Sequence, residues 1–176
     1  MDRVHVVYSL QDYPDPKTPS LFLAGPTPRK ATVQSWRPKA LKMIERYCQE
    51  LVVYVPEQNQ DPNPDQDPDA IQEPEPLNKW SPDREEHIIW NRGALIRSRV
   101  ILFWVDRHLK NMPGFRTNTE WGFWTGHDPS KLVLAFPKKA SGMRGMNNDA
   151  HCYNIPTAHS LSRGIDIALE KIFSTH

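Results

Sequence analysis

Two carboxylates and one glycine turn carry the chemistry that can be read from this chain. The run VILFWVD at residues 100–106 reads as a buried strand that ends on Asp106. A short polar loop follows, and then TNTEWG at residues 117–122, which puts Glu120 at the mouth of the next helix. The run LFLAGPTPR at residues 21–29 is a second apolar segment stopped by Gly25-Pro26. Paired carboxylates at the carboxyl edge of a sheet are what a sugar-cleaving site requires.

Each residue has a plainer reading. In the first turn of a helix, free N–H groups and the helix dipole favour an ionised Glu120, able to act as a nucleophile or to steady an oxocarbenium-like centre. Thr117 and Glu120 also have the spacing of a capping box, so Glu120 could simply cap its helix. Asp106 could simply start a turn. Gly25, Pro26 and Thr27 could bring backbone N–H groups and a hydroxyl to a ligand, and Arg29 could hold a phosphate or carboxylate. Otherwise they form a turn with a surface arginine. The turn is no Walker loop, and its single glycine is no dinucleotide fingerprint. Trp80, Trp90, Trp104, Trp121 and Trp124 crowd the middle of the chain. Such residues stack on a nucleobase or fill the core. His151 beside Cys152 does not make a metal site, and the other histidines lack ligand spacing. No metal and no cofactor is expected.

The elements that must position these residues follow from pattern. Apolar runs at 4–8, 21–24, 51–55, 100–105 and 132–136 read as strands, with a weak further strand at 153–157. Helices are expected at 34–50, 82–97, 118–126 and 160–174. Pro38 suits the first turn of the first of them. Strands alternating with helices, and strands that are continuous apolar runs, point to a parallel sheet covered on both faces. Ligands in such folds collect beyond the carboxyl ends of the strands, where strand order reverses.

The chain of 176 residues suits a single domain. Many of its 17 prolines fall at 13–19 and in an acidic, nearly apolar-free stretch at about 57–82, read as a surface insertion. The net charge of +1 gives no broad footprint for duplex nucleic acid, although a nucleotide needs only a local positive site. Two cysteines are too few for a disulfide scaffold. No apolar run is long enough for a membrane span, and the N-terminus lacks the apolar core of a signal peptide. A cytoplasmic enzyme-sized domain is expected.

Five pieces in order, FLAGPTPR (22–29), SWRP (35–38), VYVPE (53–57), RVILFW (99–104) and TNTEWG (117–122), resemble the nucleoside 2-deoxyribosyltransferase-like family over about residues 21–137. The resemblance implies a flavodoxin-like (Rossmann-like) α/β three-layer sandwich with a parallel sheet of four or five strands. It implies cleavage or transfer at the N-glycosidic bond of a (deoxy)nucleoside or nucleotide. Glu120 would attack the anomeric carbon, Asp106 would bind or protonate base or sugar, and Gly25, Pro26 and Thr27 would line the site, with Arg29, Trp90, Asn91 and Asn118 as further substrate contacts. It also implies a homodimer or higher homo-oligomer. The chain departs from the family at Asn91, after Trp90, where an acid is usual. An amide cannot supply a proton, so protonation of the leaving group would fall to Asp106, Glu86 or solvent. That departure keeps two other readings open: a nucleotide-binding module without turnover, and a glycohydrolase of NAD-like dinucleotides.

Overall fold

Strand composition divides the core in two. In the four strands β2 (Ser20–Ala24), β3 (Leu51–Val55), β4 (Val100–Trp104) and β5 (Leu132–Ala135) every residue is buried. Successive side chains leave a strand on opposite faces, so alternate residues supply two separate apolar layers. Phe22, Ala24, Ile101 and Phe103 face one way, with Trp90, Trp121 and Met146. Leu21, Leu23, Leu102 and Trp104 face the other, with Ile44, Ile165 and Leu169. The computed structural model describes residues 3–28, 33–47, 49–57, 82–110 and 112–174. Arg29, Trp80 and almost all of the 57–82 insertion lie outside these.

The sheet is wholly parallel, in the order β1-β3-β2-β4-β5-β6, with β1 at Val4–Tyr8 and β6 at Thr157–Ala158. It therefore has six strands and not four or five. β1 adds an edge beside β3, and β6 pairs through only two residues, too few to leave a clear pattern. Helices α2 (Pro82–Arg97), α3 (Phe115–His127) and α4 (Arg144–Cys152) supply one layer of cover. Helices α1 (Arg37–Ile44) and α5 (Leu161–Phe173) supply the other. This is the flavodoxin-like three-layer α/β arrangement, carrying an extra edge strand.

Three helices differ from expectation. α1 is shorter than 34–50. Its first turn carries Pro38, but Tyr47, which extends the apolar spacing, is exposed and its hydroxyl bonds Asp166, while Leu51 belongs to β3. α3 opens at Phe115 and not at residue 118, because Gly114 takes a left-handed conformation (φ +63°) and starts it. α4 was not expected at all: within RGMNNDAHC only Met146 and Ala150 are buried, so no apolar stripe announces it. α5 matches closely. Ser160 caps it, its hydroxyl accepting the Arg163 N–H at 3.2 Å. Ser160→Ala should cost about 1 kcal/mol in stability, read as a lower Tm with activity unchanged.

Among the described residues no helix is long and apolar enough to cross a membrane.

Candidate active site

The chain leaves β2 for α1 and β3, then returns past β2 to begin β4 on its other side. Strand order therefore reverses between β2 and β4, and a cavity of about 460 Å³ opens beyond their carboxyl ends. Gly25, Asn91, Gly114, Arg116 and Glu120 are among its walls.

Two backbone turns bring the walls together. Gly25 (φ +151°) lies so close to β4 that a β-carbon there would stand 2.1 Å from the Trp104 carbonyl oxygen. At Gly114 a β-carbon would stand 2.9 Å from Cγ of Pro26. The turn after β2 thus packs directly on the start of α3, which carries Glu120.

A buried arginine holds the first turn. Arg37 is 1% exposed. Its Nε donates to the Leu23 carbonyl at 3.1 Å and its Nη2 to the Gly25 carbonyl at 2.9 Å. Its Nη1 donates to Thr27 Oγ1 at 3.3 Å and pairs with Glu57 Oε1 at 2.5 Å. Ser35 also donates to that Glu57 oxygen, and Trp36 Nε1 donates to the Pro26 carbonyl. Burial pulls the guanidinium below its usual pKa, while Glu57, and more weakly Glu120, push it back up. An arginine remains charged under either influence.

Glu120 sits in the second turn of α3, so it is neither a cap nor a first-turn carboxylate. Thr117 makes no capping bond, and the helix has no side-chain cap at its start. The Glu120 side chain is 17% exposed. Asn91 Nδ2 donates to its Oε1 at 2.8 Å, and Arg116 Nε donates to the same oxygen at 3.2 Å. No described residue donates to Oε2. Burial raises the carboxyl above the usual carboxylate pKa, opposed by Arg116, Asn91 and Arg37. Asn91 is itself buried, and its Oδ1 accepts from no described residue.

Four of the expected site residues thus line the cavity with Glu120: Gly25, Pro26, Thr27 and Asn91. Three do not. Asp106 lies between Val105 and Arg107, both buried; it is half-buried itself and stands outside the lining. Trp90 belongs to the core, stacked on Tyr13 at 5.9 Å with its Nε1 donating to the Gln11 carbonyl. Asn118 is exposed, and its Oδ1 accepts from Arg107. Trp104, Trp121 and Trp124 are core residues too. Glu86 is exposed and not part of the lining.

Residues not anticipated include Arg37, Ser9, His87 and Arg116, which line the cavity, and Glu57, which pairs with Arg37. The spacing of His87 and Asn91, four apart on one helix, was a usable signal, because such residues share a face. For Arg37 the sequence offered only its place before Pro38, which does not reveal burial. No cluster of three or more metal-ligating side chains occurs among the described residues. No protein-family model matches the chain, and no characterised protein matches it significantly in sequence.

Proposed function

We propose that this protein breaks the N-glycosidic bond of a (deoxy)nucleoside or nucleotide, passing the sugar through a covalent bond to Glu120 and then to water or a second base. One observation carries the reading: a carboxylate at a cavity wall, gripped through Oε1 by Asn91 and Arg116, with Oε2 receiving no hydrogen bond from a described residue. A nucleophile needs one oxygen fixed for aim and the other left to react. The resemblance in the FLAGPTPR and TNTEWG segments supports the same assignment.

In the first step Oε2 bonds to the anomeric carbon as the carbon–nitrogen bond breaks, and the electron pair leaves on the base. In the second, water or another base attacks the same carbon and releases the carboxylate.

Incubating the protein with deoxynucleosides, deoxynucleotides and NAD, and separating free base by chromatography, tests the proposal. Base release from a nucleoside or nucleotide is the expected result. Saturable binding with no base released would establish a binding module instead. Nicotinamide released from NAD, with the others untouched, would establish a dinucleotide glycohydrolase.

Attack requires ionised Glu120, and burial raises its pKa. Turnover should therefore fall on acidification at a pH above that of an ordinary glutamate, which a pH–rate profile reads as a displaced acidic limb.

A further inference from the structure

Breaking a nucleoside bond leaves charge on the base, so a proton must reach it. Of the cavity-lining residues, Glu120 is spoken for as the nucleophile. Arg37 and Arg116 do not give up protons, and Asn91 cannot. Asp106 and Glu86 are not in the lining, and Glu57 is engaged by Arg37 and Ser35. Among the described lining residues, His87 is the remaining one of a type that exchanges protons near neutrality.

Its setting fits that task. His87 lies one helical turn, about 5.4 Å along the axis, before the Asn91 that holds Glu120. The Nδ1 of His87 is 2.7 Å from the hydroxyl of Ser9. Ser9 is buried, and its backbone N–H donates to the Glu57 carbonyl at 3.0 Å, which fixes the hydroxyl just beyond β1. A hydroxyl can accept from the imidazolium or donate to the neutral ring. This contact aims the ring and is compatible with both of its protonation states.

We propose that His87 is the acid–base group of this site, protonating the departing base and then taking a proton from the attacking water. This rests on the assignment of Glu120 as nucleophile. The proton moves from His87 to the base as the electron pair of the broken bond arrives there. It returns from water as the new carbon–oxygen bond expels Glu120.

The test compares the substrate that the wild type cleaves fastest with its N-methylated cationic counterpart (7-methyl for a purine, 3-methyl for cytosine), whose base departs neutral and needs no proton. In His87→Gln, kcat/KM for the ordinary substrate should fall by about 10²–10⁴, while the methylated substrate loses at most about tenfold. The ratio between the two then shifts about 100-fold or more. Ser9→Ala should shift it in the same direction by about tenfold, a second route to the answer if His87→Gln unfolds. Equal losses on both substrates, or no loss on either, would overturn the role of His87. Should Glu120→Gln be inactive on both substrates while His87→Gln behaves as wild type, the nucleophile stands and only this inference falls. If the wild type cleaves neither substrate, the proposed function itself fails.

Discussion

Glu120→Gln should lower base release by about 10³-fold or more while making the protein more stable at neutral pH. The two effects share a cause. The side chain is placed where a charge is costly, because burial raises its pKa despite two hydrogen bonds and nearby Arg37. A glutamine can keep a contact to Asn91 and needs no charge, so the nucleophile goes while the desolvation cost is relieved. The sign with pH follows. A carboxyl whose folded-state pKa lies above its unfolded value stabilises the fold fully below the unfolded value and loses that contribution as pH rises through the folded one. The Tm advantage of Glu120→Gln over wild type should therefore be smallest in acid and widen toward neutrality. Calorimetry across that range, beside a chromatographic base-release assay, checks both halves. Full turnover in the variant would remove Glu120 from the chemistry. A Tm deficit that grows toward neutral pH would mean that the carboxylate is held there by stabilising contacts.

Gly25→Ala should be among the most damaging single substitutions in the described chain, costing about 2–6 kcal/mol by combining backbone strain with a steric clash. The new β-carbon would fall 2.1 Å from the Trp104 carbonyl, and the φ of +151° is one that alanine rarely adopts. The obstacle is backbone of β4, paired with β2 at Ala24–Phe103, so neither side can yield without opening the middle of the sheet. Against a total stability of about 5–15 kcal/mol for a domain, such a loss is visible in a denaturant titration. Gly122→Ala is the natural comparison. It lies on the exposed face of α3 with nothing within 4 Å of its added carbon, and should stabilise by about 0.5–1 kcal/mol. If the two variants unfold at the same denaturant concentration, the close approach of β2 and β4 is wrong.

What could be read beforehand was what depends on local pattern. The runs at 51–55 and 100–105 are continuous and apolar because β3 and β4 are covered on both faces, and such segments declare themselves. The amphipathic pattern and Ser160 cap of α5 are equally local. α4 stayed hidden because it is anchored by two residues in an otherwise polar stretch. Within the site, Gly25 and Glu120 were legible because their residue types are informative where they occur. Asp106 misled, because it is half-buried between Val105 and Arg107, both buried, and none of the three belongs to the cavity lining. Arg37 and the Ser9–His87 pair were illegible for a different reason. Ser9 and His87 meet 78 positions apart in sequence, and no local rule reports such a meeting.

The sheet order also governs how the molecule would come apart. Its margins are thin: β6 contributes two residues, and only Val7 of β1 is buried. Amide hydrogens there should exchange first, through openings far smaller than global unfolding. β2 and β4 are flanked on both sides and release theirs last. A molecule frayed at the β6 rim would still carry a complete cleft, whereas fraying of β1 would release Ser9 from the cavity wall, so loss of the β6 rim alone should be separable from loss of the reactive centre on a denaturation curve.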